Sequence, residues 1–112
     1  MEDISLKEVH WHGDTLDIIR RFRKSVRLNI GSELYLLQIG ERPLHSQPMA
    51  TVGRGVWEIR IADGKGAFRI FYFVKRKEGI HVLQAFQKKT RKTSKADIDM
   101  GKARYRDLQR KK

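Results

Sequence analysis

The sequence predicts one α+β domain over residues 1–112, with an antiparallel (mixed) sheet, helices packed on one face, and the order β-α-α-β-β-β-α. Apolar and polar side chains alternate within residues 56–87, which is the period of strands, and glycine-containing turns divide that stretch. Apolar residues recur at helical spacing on both sides of it. A chain of 112 residues is long enough to bury a single core.

The N-terminal part is predicted to hold one short strand and two helices. Residues 8–12 alternate enough to form the strand, and a Gly-Asp pair interrupts it. A helix over residues 14–22 can be capped by its first polar residues. A second helix over residues 25–39 ends naturally at Gly40.

The middle of the chain is predicted to form a loop and then three strands. Residues 41–54 contain both prolines and should form a long surface loop, a kind of segment that often serves binding. The turn Asp63-Gly64-Lys65-Gly66 suits a tight hairpin. A two-residue Glu78-Gly79 loop would then set Arg69 opposite Lys88.

The alternation assigns two different faces to this sheet. Glu58, Arg60 and Arg69 share one face, which we expect to be open because charged side chains are poorly suited to a core. Such a face suits polyphosphate and flat bases. The opposite face should be buried beneath the helices and carries Trp57, Ile59, Ile61, Phe68, Ile70 and Tyr72.

Positive charge is concentrated at the C-terminal end. The chain has 25 Lys+Arg against 13 Asp+Glu, a net charge of +12. Residues 88–112 hold 11 Lys+Arg and 3 Asp, and therefore +8 of that total. A last helix begins near Ser94, where Ser94-x-x-Asp97 resembles a capping box. So basic a chain is typical of nucleic-acid binding, although residues 110–112 suit an ordinary solvated tail.

Several functional classes find no support in the residues. There is no cysteine, hence no disulfide or thiolate zinc site, which agrees with a cytoplasmic location. The acidic N-terminus does not resemble a signal peptide, and no apolar run reaches membrane-spanning length. His10 and His12 alone make an incomplete metal site, and nucleophile motifs are absent, so we expect neither metal nor cofactor.

Arginine, lysine and a carboxylate can nevertheless carry out RNA transesterification without a metal. The RNA 2′-hydroxyl is the nucleophile, and guanidinium groups stabilise the charge on the pentacovalent phosphate. Arg60, Arg69, Lys88 and Lys89 are residues of the right types, and a lysine in a cationic site can exchange protons near neutral pH. The same residues would serve plain phosphate binding, which residue chemistry alone slightly favours.

Three motifs carry a resemblance to a known family. V-W-E-I-R-I, then G-x-x-R-I-F-Y, then V-L-Q-A-F-Q-K-K-T-x-K-T resemble the RelE/HigB toxin superfamily, closest to the phage-derived HigB-like branch of type II toxin–antitoxin toxins. The similarity covers nearly the whole chain. It implies a ribosome-dependent messenger RNA endoribonuclease, neutralised by a cognate antitoxin, often a helix-turn-helix protein. A non-catalytic, ParE-like gyrase-binding toxin and a basic RNA-binding module are the alternatives.

The resemblance also implies roles for individual residues. Arg69 matches the transition-state arginine, while Arg60 and Glu58 match positions that shape or assist the site. Lys88 and Lys89 stand where other members have a histidine, tyrosine or arginine, so the general acid differs in kind. Further RNA contacts are expected from Arg54, Lys65, Phe71, Arg91, Lys92 and Lys95.

Overall fold

The computed structural model describes residues 5–111 and contains a five-stranded mixed sheet with three helices. The strands lie in the spatial order β1-β5-β4-β3-β2. The predicted α+β class is confirmed. Within residues 5–111, none of the helices has the length and apolar character needed to cross a membrane. The elements are β1 (Val9–Trp11), α1 (Thr15–Arg21), α2 (Lys24–Gln38), β2 (Ser46–Pro48), β3 (Val56–Asp63), β4 (Gly66–Lys75), β5 (Gly79–Lys88) and α3 (Lys95–Arg110).

The larger core lies between one face of the sheet and the helices α1 and α2. The apolar side chains predicted for this face are buried there, except that Trp57 is only half-buried at the margin. Val26, Ile30 and Leu34 project from α2 at spacings of four residues and pack onto them. The assignment of apolar residues to this face is confirmed.

Helix α3 corrects the prediction that all helices share one face. It packs on the opposite face, where Phe71, Leu83 and Leu108 belong to a second buried cluster. Gly101 allows this close approach, since a Cβ there would lie 3.0 Å from the Phe71 ring. The physical reason is that the same strand face carries charged residues in one half and large apolar residues in the other. The apolar half requires its own cover.

The two hairpins differ in how well the sequence predicts them. Strands β3 and β4 are joined by a two-residue loop at Gly64-Lys65, with Gly64 at φ +59°, as a tight hairpin requires. Strands β4 and β5 are joined instead by three residues, and Leu83 is an extra residue in a β-bulge. Arg69 therefore pairs with Phe86, and the predicted pairing with Lys88 is wrong.

Both outer strands were incompletely predicted. β1 runs parallel to β5, a long-range pairing that local alternation does not reveal. β2 lies inside the segment predicted as a loop and pairs with β3. The chain before β2 is held by the buried Glu33 carboxylate, which accepts hydrogen bonds from the backbone N–H groups of Leu44 (2.8 Å) and His45 (2.9 Å).

Candidate functional site

The predicted charged residues of the central strands form a compact group, which we call the Arg–Glu–Arg cluster: Arg60, Glu58 and Arg69. Arg60 and Arg69 are direct cross-strand partners on β3 and β4, and Glu58 is two residues from Arg60 on the same face. Glu58 Oε1 lies 3.6 Å from Arg60 Nε and 4.0 Å from Arg69 Nε. The carboxylate thus offsets the repulsion between two facing guanidinium groups.

The cluster is more buried than the sequence predicts. The Arg60 side chain is 44% exposed, whereas that of Arg69 is 10% exposed and that of Glu58 is 6% exposed. The expectation of an open face is therefore corrected for Glu58 and Arg69. The reason is the second buried cluster beneath α3, which covers the adjoining half of the face and reaches Phe86, the cross-strand partner of Arg69.

The Arg69 side chain makes a backbone hydrogen bond but leaves one of its nitrogen donors unpaired within the described residues. Its Nη1 donates to the carbonyl of Phe68 at 3.0 Å, while its buried Nε has no hydrogen-bond partner. Burial lowers the pKa of Arg69, nearby Arg60 lowers it further, and Glu58 opposes both effects. The side chain remains a cation at neutral pH because arginine is not deprotonated in proteins. A desolvated, preorganised cation can stabilise developing negative charge strongly.

The two predicted lysines lie in different surroundings. Lys88 is half-buried, faces Ala67 on β4, and shares the sheet face of the Arg–Glu–Arg cluster. Lys89 follows the last residue of β5 and is exposed. Its Nζ lies 3.2 Å from Oε1 of Gln87, a residue that alternates onto the opposite face. Lys88 is therefore the better placed of the two to act beside Arg69.

A small cavity at the end of β5, with a volume of about 130 Å³, was not expected from the sequence. Phe86, Lys88, Lys92 and Asp97 are among the residues that line it. Asp97 is held in place by Gln84 Nε2, which donates to Oδ1 at 2.9 Å. The volume is well below the roughly 300 Å³ of a typical small-molecule pocket, so a phosphate-sized group fits better than a base. Sequence reasoning missed Phe86 and Asp97, although Phe86 lies two residues before Lys88 on the same strand face.

The residues expected to contact RNA divide by exposure. Phe71 is a correction, because its ring is fully buried against Phe86 and cannot stack on a base. Lys65 is exposed at the tip of the β3–β4 hairpin, while Arg54 lies beyond the other end of β3. Lys95 forms an ion pair with Asp99 at 2.8 Å, which raises the pKa of Lys95. Arg91 and Lys92 are exposed in the segment between β5 and α3.

A second polar group, the histidine cluster, lies where β1 pairs with β5. The rings of His10 and His81 stack with centroids 4.7 Å apart, and His12 Nε2 lies 2.8 Å from His81 Nδ1. Burial lowers the pKa of His81, and the two neighbouring imidazoles lower it further. In the range 5–111, no set of three or more histidine, aspartate, glutamate or cysteine residues is arranged to hold a metal ion. The cluster is distinct from the Arg–Glu–Arg cluster.

Comparison with known proteins identifies a family. The model of the family described as phage derived protein Gp49-like (DUF891) matches residues 17–106. This range includes the Arg–Glu–Arg cluster, the three long strands and most of α3. No curated protein and no solved structure matches the chain. Because the match extends over most of its length, the chain belongs to the phage-derived Gp49-like (DUF891) family.

Proposed function

We propose that the protein is the toxin of a type II toxin–antitoxin system and cleaves messenger RNA on the ribosome without a metal ion. Membership of the Gp49-like family is consistent with such a toxin. Assignment to the HigB-like branch of the RelE/HigB superfamily, and a helix-turn-helix antitoxin as partner, are parts of this proposal. The observation that carries it is the Arg–Glu–Arg cluster, in which Arg60 and Arg69 face each other on adjacent strands and share the Glu58 carboxylate.

The proposed chemistry is transesterification. The 2′-hydroxyl of one nucleotide attacks the adjacent phosphorus, the bond from phosphorus to the 5′-oxygen breaks, and a 2′,3′-cyclic phosphate and a 5′-hydroxyl result. Arg69 stabilises the non-bridging oxygens, and the more exposed Arg60 positions the strand. Lys88 and Lys89 carry out the two proton transfers: one lysine accepts the proton of the 2′-hydroxyl, and the other donates a proton to the leaving 5′-oxygen.

Glu58 acts best as a positioning residue in this scheme. Its buried carboxylate lies within 4.0 Å of both arginine Nε atoms, so it is already engaged by two cations. A carboxylate stabilised in this way is a weak base, because neighbouring positive charge favours its ionised form. Its contribution is therefore to hold the orientation of Arg69.

The test is cleavage of a messenger RNA bound to ribosomes by the purified chain. We expect Arg69→Ala to lower the cleavage rate about a hundred- to a thousandfold, because a preorganised donor is lost. Lys111→Ala is the matched control, since Lys111 is an exposed cation paired with Asp107 and lies outside the expected site. Thermal unfolding must show that Arg69→Ala is folded, and Arg69→Lys tests whether charge without the guanidinium fork suffices.

Product analysis tests the mechanism itself. A single 2′-deoxynucleotide at the cleaved position should abolish cleavage there, because the attacking 2′-hydroxyl is then missing. Cleavage of the 2′-deoxy substrate, or a full rate with Arg69→Ala, would contradict the proposal.

Plain RNA binding is the second candidate, and the burial of Arg69 favours it. A guanidinium that is 10% exposed offers little of its surface to a reacting phosphate. The exposed cations near the cavity would then bind the RNA backbone with a steep salt dependence. Salt-dependent binding without any strand cleavage on or off the ribosome would support this candidate instead.

A further inference from the structure

The outer side of α2 carries apolar residues that belong to neither buried cluster of the described part of the chain. Leu28 is 61% exposed and Tyr35 is 52% exposed, although both lie on a regular helix. With Gly31 and Ser32 they follow the spacing i, i+3, i+4, i+7, which places them along one line on the helix surface. We call these four residues the α2 stripe. The inward residues of α2 face the core on the other side.

The shape of the α2 stripe suits another helix. The two large side chains flank Gly31 and Ser32, and a Cβ at Gly31 would find open space within 4 Å. The Ser32 hydroxyl donates to the Leu28 carbonyl at 3.1 Å, so its polar group is already satisfied. Small residues between large ones form a hole into which a side chain of a second helix can insert. The shallow groove here measures about 520 Å³ and is also lined by Arg27.

The charge around the α2 stripe specifies its partner. The exposed charged residues of α2 are Lys24 and Arg27, both positive. The acidic residue of α2, Glu33, is buried and holds the chain before β2 through Leu44 and His45. Because the whole chain carries +12, a second copy would be repelled, whereas a helix with acidic flanks would be attracted.

We propose that the α2 stripe is the docking surface for an acidic amphipathic helix of the antitoxin. This inference rests on the proposed function, which supplies the antitoxin. The stripe and the Arg–Glu–Arg cluster lie on opposite sides of the sheet, since α2 packs on the Ile59 face and Glu58 alternates to the other. The docked helix therefore tethers the antitoxin, and a different antitoxin segment covers the cluster.

A synthetic helical peptide provides a direct probe. The probe has 21 residues, leucines on one heptad seam and glutamates beside them, and its control has lysine in place of every glutamate. Fluorescence anisotropy should show that the acidic peptide binds and that the lysine peptide does not. Leu28→Glu and Tyr35→Glu should each weaken binding by about tenfold or more. Leu44→Glu adds the same charge at a position that is 79% exposed and off the stripe, and should bind as the wild type does.

The outcomes separate this inference from the proposed function. Leu28→Glu and Tyr35→Glu should cleave RNA at the wild-type rate yet escape neutralisation by the co-expressed product of the adjoining reading frame. Equal neutralisation of Tyr35→Glu and wild type, or no binding of the acidic peptide, overturns the docking surface while leaving the nuclease intact. A wild-type dimer in sedimentation that Leu28→Glu dissociates also overturns it, because the occupant is then a second copy. Absence of RNA cleavage by the wild type refutes the proposed function instead.

Discussion

Replacing Glu58 by glutamine removes the negative charge between two arginines and changes little else in shape. In the wild-type protein Glu58 Oε1 lies 4.0 Å from Arg69 Nε and 3.6 Å from Arg60 Nε. Without it, Arg69 would be a nearly buried cation facing another cation. Breaking a buried ion pair by removing one partner destabilises proteins by about 3–5 kcal/mol. Arg60 is 44% exposed, so water can solvate it when the carboxylate is gone. We therefore expect Glu58→Gln to lower the free energy of unfolding by about 2–4 kcal/mol.

The loss is measurable by urea and thermal unfolding. For a domain of this size, a loss of that magnitude corresponds to a fall in the melting temperature of roughly 10–20 °C. The matched control is Glu78→Gln, which removes a surface carboxylate whose Oε2 lies 2.7 Å from Lys75 Nζ. An exposed pair contributes little to stability, and that contribution should fade in high salt.

A double-mutant cycle decides whether the reasoning is correct. Arg69→Met alone and Glu58→Gln alone should each be destabilising, and the double variant should be less destabilised than the sum of the two. Additive effects, or a melting temperature for Glu58→Gln that matches the Glu78→Gln control, would refute the claim that Glu58 stabilises and positions Arg69.

Three further predictions concern the rest of the fold. Phe71→Ala should lower the free energy of unfolding by about 3–5 kcal/mol, measured in urea, because it empties a fully buried site beneath α3. Gly79→Ala should destabilise far more than Gly64→Ala in thermal unfolding. Both glycines have positive φ, but a Cβ at Gly79 would also clash with the carbonyl of the residue before β1. Burial lowers the pKa values of His81 and His12, so the unfolded chain takes up protons first and stability should fall as pH drops below about 6.5. His81→Gln should flatten that pH dependence, and an unchanged slope would contradict the assignment.

The sequence predicts those parts of this structure that depend on local periodicity. The alternation correctly placed Trp57 and Glu58 on opposite faces, because neighbouring strand residues always point apart. The bulge at Leu83 and the three-residue turn before β5 leave no comparable signal, so the pairing of Arg69 was wrong. The three residues of β2 are too few to show a period.

The burial of a side chain was harder to predict than the face of the sheet on which it lies. Phe71 shares a face with Arg69, yet one is sealed under α3 and the other borders the exposed Arg60. The difference comes from where a distant helix packs, which depends on Gly101 and Leu108 more than on the strand itself. The composition of the Arg–Glu–Arg cluster could therefore be predicted, whereas its accessibility could not.

The position of β1 has a consequence for when the protein can fold during its own synthesis. Val9 pairs with Ile80, and Arg104 of α3 reaches back to Asp14 at 3.0 Å. Strand β1 can therefore pair only after β5 has been synthesised. The contact between α3 and the start of α1 can form only after α3 has been synthesised as well. Contacts this distant in sequence form late, after more local structure. A chain that emerges from the ribosome without β5 would therefore lack the native sheet.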